Sequence, residues 1–207
     1  MIILLDKIIF DYKLAVRGVI HIGAHHGQEY QSYVTHKIKN IIFFEPVISN
    51  YKKLLEALPE KKNIKTFNLA LGNETGTKKM YIETANRGQS CSLLEPGTHL
   101  KMYPKIKFNN RETVKIDKLD NISFNRNLYN MINIDVQGYE LEVFKGGKDT
   151  LKSIDIVYTE INLESVYKKC CLVEDIDTFL KSFGFIRVRT QISKKDSWGD
   201  ALYLKYI

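Results

Sequence analysis

Cysteine is scarce in this chain of 207 residues, with only Cys91, Cys170 and Cys171 present. They form no CxxC pair and no disulfide framework, and sequence neighbours such as Cys170 and Cys171 bridge only with strain. A cysteine-stapled secreted scaffold is excluded, and a reducing, cytoplasmic setting is expected. No apolar run is long enough to span a membrane. The apolar start MIILLDKIIFDYKL is broken by Asp6, Lys7, Asp11 and Lys13. Its residues Leu4, Leu5, Ile8, Ile9 and Tyr12 recur at helical spacing, which predicts an amphipathic helix within residues 1–16 rather than a signal peptide. Repeats and low-complexity stretches are absent too. So are two nucleotide-binding fingerprints, the GxGxxG of dinucleotide folds and the Gly-Lys-Ser/Thr phosphate loop.

What is present suits one globular domain: 44% hydrophobic residues, 27% charged residues, and a length that buries a core without staples. The net charge of +7 comes from 31 Lys and Arg against 24 Asp and Glu. Most of the excess is lysine spread along the whole chain. We read it as compositional bias, not as a nucleic-acid footprint. Neither a nucleic-acid nor a membrane partner is expected, and a homodimer is left open.

Short apolar runs alternate with helical patterns. The runs are GVIHIG (18–23), NIIFFE (40–45), IKTFNLAL (64–71), YNMINID (129–135), DIVYTEI (155–161), FIRVRT (185–190) and ALYLKYI (201–207). Helices are predicted over 27–37, 48–57, 138–152 and 173–183. Several runs are apolar almost throughout, as parallel strands covered on both faces require. The fold class is therefore α/β, a Rossmann-like sandwich. The last two runs are joined by QISKKDSWGD with no helix between them, which demands an antiparallel pair at the sheet's end. Residues 72–128 also lack a crossover helix. They hold two extra strands (77–84 and 112–116) and a long loop (86–110) with a short helical piece.

In such a sheet, ligands bind beyond the carboxyl ends of the strands. HIGAHHG follows the first strand, with Gly23 for a sharp turn and Gly27 for the close approach of a ligand or a helix. Glu45 ends the second strand, where a carboxylate can accept two hydrogen bonds from a ribose diol. Asp135 and Glu160 end two further strands. Three carboxylates on one rim imply a cationic ligand, a polyhydroxyl substrate or a metal. His21, His25 and His26 straddle a strand end and a tight turn, so they are not read as a zinc site.

VIHIGAHHGQE, FFEP, NLALGNETG, SCSLLEP, INIDVQGYELEVFKGG and TEINLESVYKKC occur in that order, and through them the chain resembles the FkbM family of S-adenosylmethionine-dependent methyltransferases from Arg17 to Ile207. The resemblance implies a class I methyltransferase fold: a seven-stranded, mostly parallel sheet with an antiparallel C-terminal hairpin. It implies a single methyltransferase domain over 1–207, in which 72–128 is an insertion. By the same resemblance the turn holding Gly23, Ala24 and Gly27 wraps the methionine portion of the cofactor. Glu45, followed by Pro46, holds the ribose. Asn68, Ala70 and Leu71 lie near the adenine, and Asp135 lines the transfer site. One position departs from the pattern: many members of the class carry Asp where this chain has His21, which leaves the role of His21 toward the cofactor open.

The tetrapeptide with two prolines and an aromatic residue that marks many amino-group methyltransferases is replaced here by Asp135-Val136-Gln137-Gly138. An oxygen acceptor fits better. Asp135 and Glu160 could take a hydroxyl proton, hold Mg or Mn through oxygen ligands, or bind the cofactor. Gln137, Asn162 and Tyr139 are candidates for lining a saccharide site. Arg87 and Lys101 are candidates for a nucleotide-sugar diphosphate, and His99 for a base. The expected activity is O-methylation of a small molecule, with a sugar or nucleotide-sugar preferred. An RNA or cap methyltransferase and a non-catalytic module with this fold are the alternatives.

Overall fold

The computed structural model describes residues 3–193 and 197–206. The start of the expected first helix, residues 194–196 of the last connector and residue 207 of the last run lie outside the described residues. Along the first half of the chain run α1 (Leu5–Asp11), β1 (Gly18–Ile22), α2 (Tyr30–Thr35), β2 (Asn40–Phe44), α3 (Ile48–Ala57), β3 (Ile64–Phe67), β4 (Ala70–Leu71) and β5 (Gly76–Ile82). There follow α4 (His99–Met102), β6 (Asn110–Asp117), β7 (Met131–Ile134), α5 (Glu140–Lys145), α6 (Lys148–Leu151), β8 (Ile156–Asn162), α7 (Val173–Lys181), β9 (Phe185–Ile192) and β10 (Trp198–Lys205).

Seven strands form one sheet in the order β3-β2-β1-β7-β8-β10-β9. The first five are mutually parallel. β10 runs antiparallel to both β8 and β9, because the β9–β10 connection has no room for a crossover helix. The Rossmann-like sheet and its antiparallel hairpin are thus as the sequence predicts. β1, β7 and β8 are buried at every residue, which is why they read as unbroken apolar runs. Alternate residues feed two cores. Ile20, Ile22, Ile132 and Ile134 face one side, with Phe144 and Ile176 from the helices. Val19, Phe43, Met131 and Tyr158 face the other, with Leu5, Ile8 and Tyr33.

Two expected elements divide. The run 64–71 splits into β3 in the main sheet and β4, which pairs with β6 in a second, three-stranded sheet of order β4-β6-β5. The break falls at Asn68, whose amide donates to the carbonyls of Glu45 and Pro46 and turns the chain. The helix expected over 138–152 splits into α5 and α6 at Gly146 and Gly147. A Cβ on Gly146 would lie 1.9 Å from the Gly72 carbonyl oxygen, so the bend needs a residue without a side chain. The helix expected over 27–37 begins only at Tyr30, since Gly27 closes a turn onto Ala24.

Candidate active site

The chain leaves β1 toward β2 on one side and reaches β7 on the other, so the topological switch lies between β1 and β7. Beyond the carboxyl ends of β1, β2, β7 and β8 opens a cavity of about 630 Å³, within the ~300–1,000 Å³ usual for ligand pockets. Of the residues expected at the site, His21, Gly23, Ala24, Glu45, Pro46, Ala70, Leu71, His99, Asp135, Gln137, Tyr139, Glu160 and Asn162 line it. Gly27, Asn68 and Arg87 do not. Gly27 (φ +76°) faces Leu54 of α3, 2.7 Å from where its Cβ would stand, so it serves helix packing. Asn68 is spent on the β2–α3 turn. Arg87 turns its carbonyl to His25 Nε2, 2.8 Å away, while its neighbours Asn86, Gly88 and Gln89 line the cavity.

Gly23 (φ +81°) is seated so tightly against β7 that a Cβ would come 1.9 Å from the Asp135 carbonyl oxygen. The amides of the turn are used internally. Gly23 and Ala24 both donate to the Phe44 carbonyl at 2.9 Å, and the His25 amide donates to Glu45 Oε2 at 2.8 Å. A phosphate cradle needs such amides free, and here none of the three is available. Glu45 is buried, and its Oε1 accepts from the Val47 amide at 2.9 Å. Burial pushes its carboxyl up to about 7 against these two backbone bonds. Asn50 adds a side-chain hydrogen bond to the same carboxyl, and the acceptor capacity that remains can serve a ligand hydroxyl.

Asp135, Glu140 and Glu160 bring carboxylate oxygens within 4.8 Å of one another. Gln137, held at φ 55°, places its amide between two of them. Nε2 donates to Asp135 Oδ1 at 2.7 Å and faces the Glu160 oxygens at 3.2 and 3.3 Å, while Oε1 accepts from Tyr167 Oη at 2.9 Å. Glu140, which the sequence pattern does not mark, is fully buried. Its Oε1 accepts from the amides of Val136 and Gly138 at 3.0 and 3.2 Å. The available signal was an acid in the first turn of a helix, two residues after a glycine, where backbone donors stand unpaired. Burial raises Glu140 to about 7, with Asp135 adding to the effect. Burial, then Asp135 and Glu140, holds the Glu160 carboxyl well above its usual range.

His21 is buried at the end of β1. Tyr33 Oη accepts from Asn133 Nδ2 at 2.7 Å, which leaves its own proton for His21 Nδ1 at 3.2 Å. Nε2 then faces Glu29 Oε2 at 3.9 Å. Burial lowers the imidazole's pKa, opposed by Glu29 and Asp135. Glu29 thus sets a carboxylate beside the imidazole at position 21, and it also lines the cavity. His25 and His26 stack on each other, ring centroids 3.6 Å apart. His26 contacts Asn50 Oδ1 at 3.2 Å, so the two rings tie the turn to its neighbours instead of converging with His21.

The far end of the cavity is aromatic. His99 on α4 is buried between Tyr103, Phe108 and Tyr167, with ring centroids 5.0, 5.2 and 5.3 Å away. Trp198 lies beside Asn162 in the β8–β10 register and donates from Nε1 to Tyr103 Oη at 2.8 Å. Tyr139 presents its ring, with its hydroxyl held by Lys78 and Glu74 at 3.0 and 3.2 Å. The charged lining residues are Glu29, Glu45, Asp135 and Glu160, and no Lys or Arg lines the cavity among the described residues.

The family described as the methyltransferase FkbM domain matches residues 21–187. The 2-O-methyltransferase NoeI of Sinorhizobium fredii is 24% identical over 176 residues, covering 81% of this chain and 72% of NoeI. Two solved structures share the fold. The N-methyltransferase NodS of Bradyrhizobium japonicum WM9 matches with TM-score 0.56 and 10% identity, over 98% of this chain and 94% of NodS. Sp1610 of Streptococcus pneumoniae, solved with S-adenosyl-L-methionine, matches with TM-score 0.55 and 14% identity, over 99% of this chain and 73% of Sp1610. With the family matched across most of its length, the chain belongs to the FkbM family and is an S-adenosylmethionine-dependent methyltransferase.

Proposed function

We propose that this enzyme methylates a hydroxyl of a small neutral molecule, with a saccharide preferred. One observation carries the reading: an aromatic-walled chamber opens beside the carboxylate rim and, among the described residues, has no Lys or Arg in its lining. Aromatic faces suit the apolar face of a sugar ring. A polynucleotide or a nucleotide-sugar would need cations for its phosphates. Lys101 and Arg87, the candidates for that task, stay outside the lining. NoeI, a relative by sequence, is a 2-O-methyltransferase, which favours oxygen as the acceptor.

The residues present fit S-adenosylmethionine. It carries an ammonium and a sulfonium, a ribose diol and an adenine, and no phosphate. Glu45 would take the ribose hydroxyls, and Leu69, Ala70, Leu71 and Met80 would flank the adenine. The ammonium would meet the rim of Asp135 and Glu160 and the His21–Glu29 pair. The bound cofactor supplies a methyl group already activated on sulfur, so the protein's task is to position the acceptor and take its proton.

A second reading places a divalent cation among Asp135, Glu140 and Glu160, whose ligand atoms are close enough for one. Against it, the Gln137 amide already bridges Asp135 and Glu160, and the cofactor's ammonium would serve as the cation. We further read the chain as one domain with 72–128 inserted, working in a reducing cytoplasm. All three cysteines are buried and free, and no described helix is long and apolar enough to cross a membrane.

The test is a mass-spectrometric screen of methyl glycosides and nucleotide-sugars with S-adenosylmethionine. Methylation of a neutral glycoside is expected. Methylation confined to nucleotide-sugars or RNA would refute the neutral-acceptor reading. Failure to bind S-adenosylhomocysteine in calorimetry would favour a non-catalytic module instead.

A further inference from the structure

We infer that His99 is the catalytic base that receives the acceptor's hydroxyl proton, and that Asn162 donates a hydrogen bond to a neighbouring oxygen of the same acceptor. The inference rests on the small-hydroxyl reading above and deepens it.

Two buried polar atoms in the cavity wall, His99 Nδ1 and Asn162 Nδ2, have no hydrogen-bond partner among the described residues. Both residues are almost wholly buried, His99 at 4% exposure and Asn162 at 1%. A buried polar atom left without a partner costs about 1–3 kcal/mol, so two on one wall call for an explanation that folding does not supply. A ligand that accepts from the amide and gives a proton to the imidazole supplies it.

The wall is continuous. Asn162 is paired in register with Trp198, Trp198 donates to Tyr103, and Tyr103 and Tyr167 flank the His99 ring. Tyr167 donates to Gln137, which reaches the carboxylate rim. The acceptor chamber and the cofactor rim therefore meet at Tyr167 and Gln137. The other candidates for a base have other tasks: Asp135 and Glu160, joined by the Gln137 amide, would face the cofactor's ammonium, and Glu140 receives two backbone amides. Burial lowers the pKa of His99, so the ring is neutral and basic at neutral pH, with only the charge of Glu83 opposing. The other titratable groups in contact with its ring are the phenols of Tyr103 and Tyr167. Lys101, on its own helix, points to solvent.

The step balances as follows. The acceptor oxygen forms a bond to the methyl carbon as the carbon–sulfur bond breaks, the bonding pair stays on sulfur, and the hydroxyl proton passes to the His99 imidazole. Bulk water then takes it.

The test uses the full chain with methyl β-D-glucopyranoside, methyl α-D-mannopyranoside and methyl α-L-fucopyranoside as acceptors. With whichever the wild type turns over, His99→Asn is expected to lower kcat by about 10²–10⁴-fold, with KM little changed. S-adenosylhomocysteine affinity by calorimetry should stay within about twofold. The wild-type fall in kcat on the acid side of the profile should disappear in the variant. Asn162→Ala should raise KM by about tenfold with a smaller effect on kcat. Should His99→Asn fail to fold, nitrogen-15 NMR of the wild-type imidazole decides: a neutral ring at pH 7 whose signals shift with the glycoside supports the proposal, and a protonated or unresponsive ring overturns it. A His99→Asn enzyme that binds S-adenosylhomocysteine and keeps wild-type kcat overturns the base while sparing the saccharide. If the wild type methylates none of the glycosides, the saccharide reading fails and the inference falls with it.

Discussion

Replacing Glu45 by Gln separates the cost of burying an acid from its use in binding. The carboxyl is raised from 4.5 to about 7 by burial. In the unfolded chain it ionises at its ordinary value; in the fold it stays protonated until near neutrality. The raised folded-state pKa therefore contributes relative stability that is full below about pH 4.5 and is lost as pH rises through about 7. At 1.36 kcal/mol per tenfold step, the loss between those limits is about 3 kcal/mol. Urea unfolding of the ligand-free protein at about pH 5 and pH 8 measures it, and in Glu45→Gln the decline should be smaller by about that amount. Ligand binding should run the other way. The ionised carboxylate is the better partner for two ribose hydroxyls, so S-adenosylhomocysteine should bind the wild type up to about tenfold more tightly at pH 8 than at pH 6. Glu45→Gln should lose part of that gain and bind more weakly at pH 8. The reasoning is refuted if wild type and variant show the same pH dependence in both stability and affinity.

Gly23→Ala combines a left-handed backbone with a Cβ 1.9 Å from the Asp135 carbonyl. It should cost at least about 3 kcal/mol in denaturant unfolding, well above the ~1–2 kcal/mol of the backbone strain alone. Asp135→Asn should leave the melting temperature near that of the wild type, yet lower methyl transfer at least about tenfold through weaker cofactor binding, read by calorimetry and initial rates. Treatment with a strong chelator should leave the rate unchanged; a loss restored by Mg or Mn would establish the metal site among the three acids. Raising salt from low to physiological strength should change acceptor KM by less than about twofold, since no Lys or Arg among the described residues lines the chamber.

The sheet was legible because strands buried on both faces write themselves as continuous apolar runs, as in β1, β7 and β8. The hairpin at the end followed from one missing helix. Boundaries failed where a tertiary contact overrides local pattern: Asn68 bonding back to Glu45 and Pro46, and Gly146 pressed against Gly72. At the site, acids that end apolar strands were readable because their position is unusual for their chemistry. Glu140 was not, because a glutamate opening a helix looks ordinary until its neighbours' amides are seen to converge on it. Of the two partners the sequence allows Gly27, a ligand or a helix, it meets the helix α3, and Arg87 offers its own backbone carbonyl to the His25 ring. The aromatic chamber could not be assembled from sequence, since its members come from α4, the segment before α7, and β10.

The spent amides of the Gly23–His25 turn bear on selectivity. Adenine nucleotides share the adenine and ribose of the methyl donor and differ at the 5′ carbon, where they carry phosphates. Among the described residues, a phosphate at this rim would meet no free amide in that turn and no lining Lys or Arg. Instead it would face the carboxyl groups of the rim, and each one that is ionised adds a like-charged pair that at about 6 Å costs about 3 kcal/mol at an effective dielectric near 20. The same surroundings favour a sulfonium and an ammonium. With the cofactor placed as proposed, the enzyme would tell the methyl donor from ATP and its relatives by the sign of the charge beside the ribose, without reading the base.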